Sequence, residues 1–108
     1  MSLEQSVSDS VGTRLLFEND RVRVWDLALA PGEAIPPHRH GLDYLYVVIG
    51  GGTLQTVFTD GSTDPPRVME DGEVRFRAVA GGSDSRATHS AVNVGDQPWR
   101  NIVVELKP

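Results

Sequence analysis

The sequence contains no cysteine. That excludes a disulfide framework, a thiolate nucleophile and any cysteine-ligated metal site. A metal ion would have to be held by imidazole, carboxylate or carbonyl groups. Positive charge is also scarce. Ten lysines and arginines stand against fifteen acidic residues, for a formal net charge of -5. A nucleic-acid footprint or an anionic-membrane surface wants the opposite balance, so neither partner is expected. No apolar run approaches the roughly 18 residues of a membrane span. The first residues, Met1-Ser2-Leu3-Glu4-Gln5-Ser6, have neither a basic region nor an apolar core, so they do not read as a secretory signal. The expectation is a soluble, cytoplasmic protein. Histidine is scarce too, with three in 108 residues, so where they fall carries information.

Glycine and proline, by contrast, are plentiful, at eleven and seven. Together with short apolar runs they point to a turn-rich all-β domain. At this length the chain makes one domain and can close a modest core without staples. Residues 1–12 are small and polar and are expected to be a flexible N-terminal arm, either loose or paired with another subunit. Residues 13–108 form the domain. Strands are expected over 13–17, 21–29, 43–49, 53–58, 73–79, 88–94 and 99–106, separated by turn signals. In the second of these the apolar phase slips near Trp25, which predicts a bulge or a change of burial there. In Glu73-Val74-Arg75-Phe76-Arg77 the arginines are expected to form a solvated face opposite Val74 and Phe76. Residues 63–67 and 80–86 read as loops. Gly50-Gly51-Gly52 is a sharp bend. It leads into a strand and not a helix, so it is not a phosphate loop. Short strands at regular spacing imply a sandwich or small barrel.

One stretch organises the rest: Gly32-Glu33-Ala34-Ile35-Pro36-Pro37-His38-Arg39-His40-Gly41-Leu42-Asp43-Tyr44. The proline pair argues against helix and favours extended backbone. On a strand, residues two apart share a face, so His38 and His40 project together and Arg39 opposes them. The third histidine, His89, lies in another β-like run. Three neutral imidazoles from two strands can make a facial metal site with open positions for water or ligand. An isolated His-x-His is more often a surface or core pair, and it gains weight here from the upstream glycine, the prolines and the distant His89.

These motifs resemble the cupin family. Gly32, five residues, then His38-Arg39-His40 matches the spacing of the family's first motif. Gly72, then His89 and Asn93 four residues on, resembles the second. More narrowly, residues 38–44 and 93–99 resemble small bacterial cupins associated with β-alanine degradation. The resemblance implies a cupin-type double-stranded β-helix, that is, a jelly-roll barrel (RmlC-like), with a divalent metal in its mouth, and a homodimer. The metal ligands would be His38, His40 and His89. The motif's glutamate is missing: its place falls on Tyr44 or Leu45. Asp43 and Tyr44 are therefore the candidates for a fourth ligand or a pocket position, and Asn93 for a second-shell role. The segment from Gly72 to His89 is also about six residues longer than the pattern. A fourth, carboxylate ligand would favour harder ions such as Mn²⁺ or Fe²⁺, and without it Zn²⁺, Ni²⁺ or Fe²⁺ are expected.

Two functions follow from this resemblance. One is a metal-binding cupin that holds a small polar metabolite, an organic acid among the candidates, in the barrel mouth, with or without a metal-dependent reaction. The other is a non-catalytic binding or accessory cupin with no metal or only a structural one. Only Asp43, Tyr44 and Glu105 offer acid or base chemistry near the histidines.

Overall fold

The computed structural model of the chain describes residues 7–79 and 88–108. The loop expected over 80–86 and the first half of the expected arm lie outside the described residues. Nine strands are present among the described ones: β1 Arg14–Glu18, β2 Val22–Leu29, β3 Ala34–Arg39, β4 Asp43–Val48, β5 Gly52–Phe58, β6 Arg67–Met69, β7 Val74–Arg77, β8 Thr88–Asn93 and β9 Trp99–Leu106. The expected strands are there, and β6 is an addition in a stretch with only three strand residues to signal it. No helix of the described residues is long and apolar enough to cross a membrane.

The strands form two antiparallel sheets that face each other. One has the order β1-β2-β9-β4-β7, the other β3-β8-β5-β6. Their inner faces make the core. Leu27, Leu29, Val48 and Trp99 of the larger sheet meet Ile35, Met69 and Ala91 of the smaller one. At the other end of the larger sheet, Val11, Trp25, Tyr44 and Val103 pack together. The bend between β4 and β5 is sharp because Gly50, Gly51 and Gly52 all have positive φ (96°, 69° and 151°), a region that side chains disfavour. A Cβ on Gly51 would also sit 3.1 Å from the Met69 carbonyl oxygen.

Residues 7–12, assigned by sequence to the arm, run beside β3. Ser8 N–H donates to the Pro37 carbonyl, and Arg39 N–H donates to the Ser8 carbonyl. Val11 is fully buried.

Of the two outcomes expected near Trp25, a bulge or a change of burial, β2 shows the second. Its pairing with β9 runs unbroken from Val22↔Leu106 to Leu29↔Trp99. The irregularity lies across from Trp25, in β1 between Leu15 and Phe17. The phase slip in β2 arises because both faces carry apolar groups. Trp25, Leu27 and Leu29 point inward, while Val22 and Val24 lie on the outer face with Asp26. There Asp26 is paired with Arg100 at 2.9 Å and Arg14 at 4.0 Å.

In β7 the arginines lie opposite Val74 and Phe76, as expected, and Arg77 is exposed. Arg77 pairs with Tyr44 and Arg75 with Tyr46, both inward-facing tyrosines, so this solvated row is the open edge of the inner face. Val74 and Phe76 face outward, 56% and 57% exposed. Alternation alone cannot say which face of an edge strand looks inward. Pairing with β4 decides it.

One inward row carries charge. Across the larger sheet Glu18, Arg23, Glu105, Tyr44 and Arg77 stand side by side. Glu105 is 1% exposed and accepts on Oε1 from Arg23 Nε and Trp25 Nε1, both at 2.7 Å. A buried carboxylate stripped of its cation is strongly destabilised. Arg23→Ala is expected to lower unfolding stability by about 3 kcal/mol, read as a shift in the urea midpoint at unchanged slope. A loss below about 1 kcal/mol would mean the pair behaves as a surface ion pair.

Candidate metal centre

His38, His40 and His89 come together on the inner face of the smaller sheet. His38 and His89 are direct partners across β3 and β8. Bringing His38 inward takes a bulge. Ile35 pairs with Ala91 and His38 with His89, so Pro36 and Pro37 together oppose Ser90 alone. Strict alternation would turn His38 away from the face that Ile35 buries. The extra residue restores the phase, and proline tolerates a bulge because it has no N–H to lose from the ladder. The bulge also supplies a partner: His38 Nδ1 lies 3.0 Å from the Pro36 carbonyl oxygen. A carbonyl only accepts, so Nδ1 carries the proton and the Nε2 lone pair is free.

The rings are close. His38 lies 4.9 Å from both His40 and His89, centroid to centroid. His40 Nε2 and His89 Nε2 are 3.2 Å apart. His40 Nδ1 is buried and has no hydrogen-bond partner among the described residues. One donor atom from each ring lies within 4.8 Å of the others. Nitrogens about 2.1 Å from a shared ion sit roughly 3.0–3.4 Å apart, and the His40–His89 pair has that separation. Burial favours the neutral form. It pushes His38 from its ordinary 6.5 to about 4, and His40, with its two histidine neighbours adding to the effect, to about 2. Both are therefore ready ligands at neutral pH with no proton to displace. The donor set fits a divalent cation.

The other sequence candidates are placed differently. Tyr44 stacks on His40, with centroids 4.0 Å apart and planes 14° from parallel. Burial pushes its hydroxyl up to about 12, so it is a phenol and not a phenolate. Asp43 is outside the three-histidine group. Its Oδ1 accepts from Val79 N–H at 2.7 Å, and it pairs with Leu106 on the outer side of the sheet. Asn93 is fully buried, but its side chain serves backbone: Nδ2 donates to the Leu29 and Gln97 carbonyls, and Oδ1 accepts from Gly95 N–H. It ties the turn before β9 to the end of β2. Glu105 lies beside Tyr44 in the sheet and is taken up by Arg23 and Trp25.

The histidines open onto a cavity of about 460 Å³ between the sheets. Tyr44, Tyr46 and Phe58 line it, with Arg67 and Arg77. Sequence reasoning placed Arg77 on a solvated face and left Arg67 in a loop. The signal that could have found them is strand pairing, which places Arg77 opposite Tyr44 and Arg67 opposite Leu54.

The depressed histidines set a pH dependence in metal-free protein. Below 6.5 the unfolded chain takes up protons that folded His38 and His40 refuse, so stability is full above that pH and falls as pH drops. The slope is about 1.4 kcal/mol per pH unit for each site. Urea melts of chelator-treated protein between pH 6.5 and 5 should show it, with a shallower fall in His38→Asn. A flat profile in wild type would mean the folded imidazoles protonate freely.

No protein-family model matches the sequence, and no curated protein matches it. Solved structures do. A cupin domain from Bordetella pertussis superposes with a TM-score of 0.73 at 22% identity, covering 97% of this chain and 100% of that one. An RmlC-like cupin family protein with a double-stranded β-helix fold, from Methanocaldococcus jannaschii, gives 0.64 at 14% identity over 99% and 94% of the two chains. A polyketide cyclase from Streptomyces resistomycificus gives 0.55 at 25% identity over 83% of this chain and 57% of its own. With two facing antiparallel sheets and these structural neighbours, the chain has the cupin-type double-stranded β-helix fold.

Proposed function

We propose that this chain is a cytoplasmic metal-binding cupin that holds a divalent cation on His38, His40 and His89 and takes a small polar ligand into the cavity beside it. The observation that carries this reading is the convergence of three imidazoles at the cavity wall, with His38 and His40 buried and held neutral by that burial. Three imidazoles and no carboxylate suit Zn²⁺, Fe²⁺ or Ni²⁺, with Mn²⁺ the hardest of the set. Bound there, the cation would act as a Lewis acid toward a ligand oxygen. His38 is oriented for this by the Pro36 carbonyl, and Tyr44 holds the plane of His40.

A second reading is a non-catalytic binding or accessory module. It is favoured by the tyrosines. Burial raises the pKa of both Tyr44 and Tyr46, so they donate hydrogen bonds and do not accept a substrate proton. Turnover of a bound ligand separates the two readings.

The outer face of the larger sheet supports a homodimer. Phe17, Val24, Val104, Leu45 and Phe76 form one apolar row across all five strands. Beside it run Ile102, Val47 and Val74. The row reads aromatic, aliphatic, aliphatic, aliphatic, aromatic about central β9. A second copy related by a two-fold axis along β9 would set Phe17 against Phe76 and Val104 against Val104, a self-complementary packing. Val104→Glu is expected to convert a dimer to a monomer by light scattering. A wild-type monomer at micromolar concentration would remove the dimer from this reading.

Metal content by elemental mass spectrometry on untagged protein tests the centre. About one divalent ion per chain is expected in wild type, with its loss in both His38→Ala and His89→Ala. Wild type that stays empty after exposure to Zn²⁺, Ni²⁺, Mn²⁺ and anaerobic Fe²⁺ would overturn the metal reading.

A further inference from the structure

We infer that Arg67 and Arg77 form an anion-binding end of the cavity, and that the ligand is a small carboxylate-bearing molecule spanning from the histidines to these guanidiniums. The inference deepens the proposed function and rests on the same cavity. Strand register places both side chains. Arg77 stands beside Tyr44 on the inner face of β7, and Arg67 beside Leu54 on the inner face of β6. Both line the cavity that the three histidines line. They approach it from strands at the edges of opposite sheets.

Charge makes the case. Among the described residues Arg14, Arg23, Arg75 and Arg100 each make an ion pair with a carboxylate. Arg21, Arg39, Arg67 and Arg77 make none among the described residues, and of these four Arg67 and Arg77 line the cavity. The one carboxylate among the described lining residues, Asp64, already has a partner of its own. Two guanidiniums thus share the cavity with one acidic side chain among the described lining residues, and Glu73 acts on Arg67 from outside that lining. Each guanidinium presents a planar fork of donors that matches a carboxylate bidentately. A cation held by three neutral ligands would add to the same excess, because no protein carboxylate offsets it. A ligand with an anionic oxygen at one end and a carboxylate at the other satisfies both.

The test is calorimetric titration of the full-length chain, Zn²⁺-loaded and chelator-treated in parallel. The probes are malonate and succinate, with dimethyl succinate and inorganic phosphate as contrasts. Wild type should bind a dicarboxylate and not the diester. Arg67→Gln and Arg77→Gln should each weaken it by about tenfold or more while leaving metal content unchanged. Unaltered affinity in the double variant would overturn the inference. So would equal binding of the diester, preference for phosphate, or no dicarboxylate binding to metal-loaded wild type. If wild type takes up no metal but its dicarboxylate affinity still falls in Arg77→Gln, the metal reading fails and the anion site stands.

Discussion

The bulge at Pro36-Pro37 is the constraint on which the site depends. Ile35 must face inward to fill the core, and His38 must face inward to meet His89. Two residues separate them, and on a regular strand that spacing puts them on opposite faces. Opposing both prolines to Ser90 resolves the conflict. The same device fixes the chemistry of the ring, because the Pro36 carbonyl takes the Nδ1 proton and leaves Nε2 bare. The segment at residues 7–12 braces this point from outside, since Ser8 bonds both the Pro37 carbonyl and the Arg39 N–H. A backbone irregularity, a tautomer and a buttress thus converge on one histidine.

The larger sheet divides its labour by face. Inward, the row Arg23-Glu105-Tyr44-Arg77 leads from a buried ion pair to the ring stacked on His40. Glu105 sits deeper than any other carboxylate among the described residues, and its two donors, Arg23 and Trp25, offset the cost of dehydrating it. Outward, the next residues along the same strands are Val24, Val104, Leu45 and Phe76. The strands are thus apolar on one side and polar at one end of the other, the reverse of a sheet with a single solvated face. That inversion is why periodicity alone does not say which face of these strands looks inward.

Much was nonetheless legible. The glycine count, the turn signals and the strand runs yield an all-β domain, and spacing alone puts His38 and His40 on one face. Joining His89 to them needed a resemblance, since nothing local links residues 49 apart. The rest was not legible for one reason. The pattern within a strand sets Arg77 opposite Phe76 but does not say which face looks inward, because faces are set by neighbours. Arg77 is inward because Tyr44 is, and Trp25 because Val103 is. Asn93 was read from its position four residues after His89. Its amide instead answers the unpaired backbone of a turn, a demand invisible before the turn's path is known.

Tyr44 is one of the two positions, with Leu45, on which the cupin resemblance places a glutamate, and a phenol there alters the electrostatics more than the shape. A carboxylate would bring a negative charge to the ion and pull its preference toward harder metals. The phenol brings none. Held protonated by burial, it lays a ring against His40 and restricts how that imidazole can turn. A three-imidazole centre leaves an ion's full charge facing the cavity, in a medium where charge is poorly screened. On the proposed reading, neutral ligands at the wall and guanidiniums across from them would act in one direction, toward a ligand that carries negative charge, with Asp64 the one carboxylate among the described lining residues.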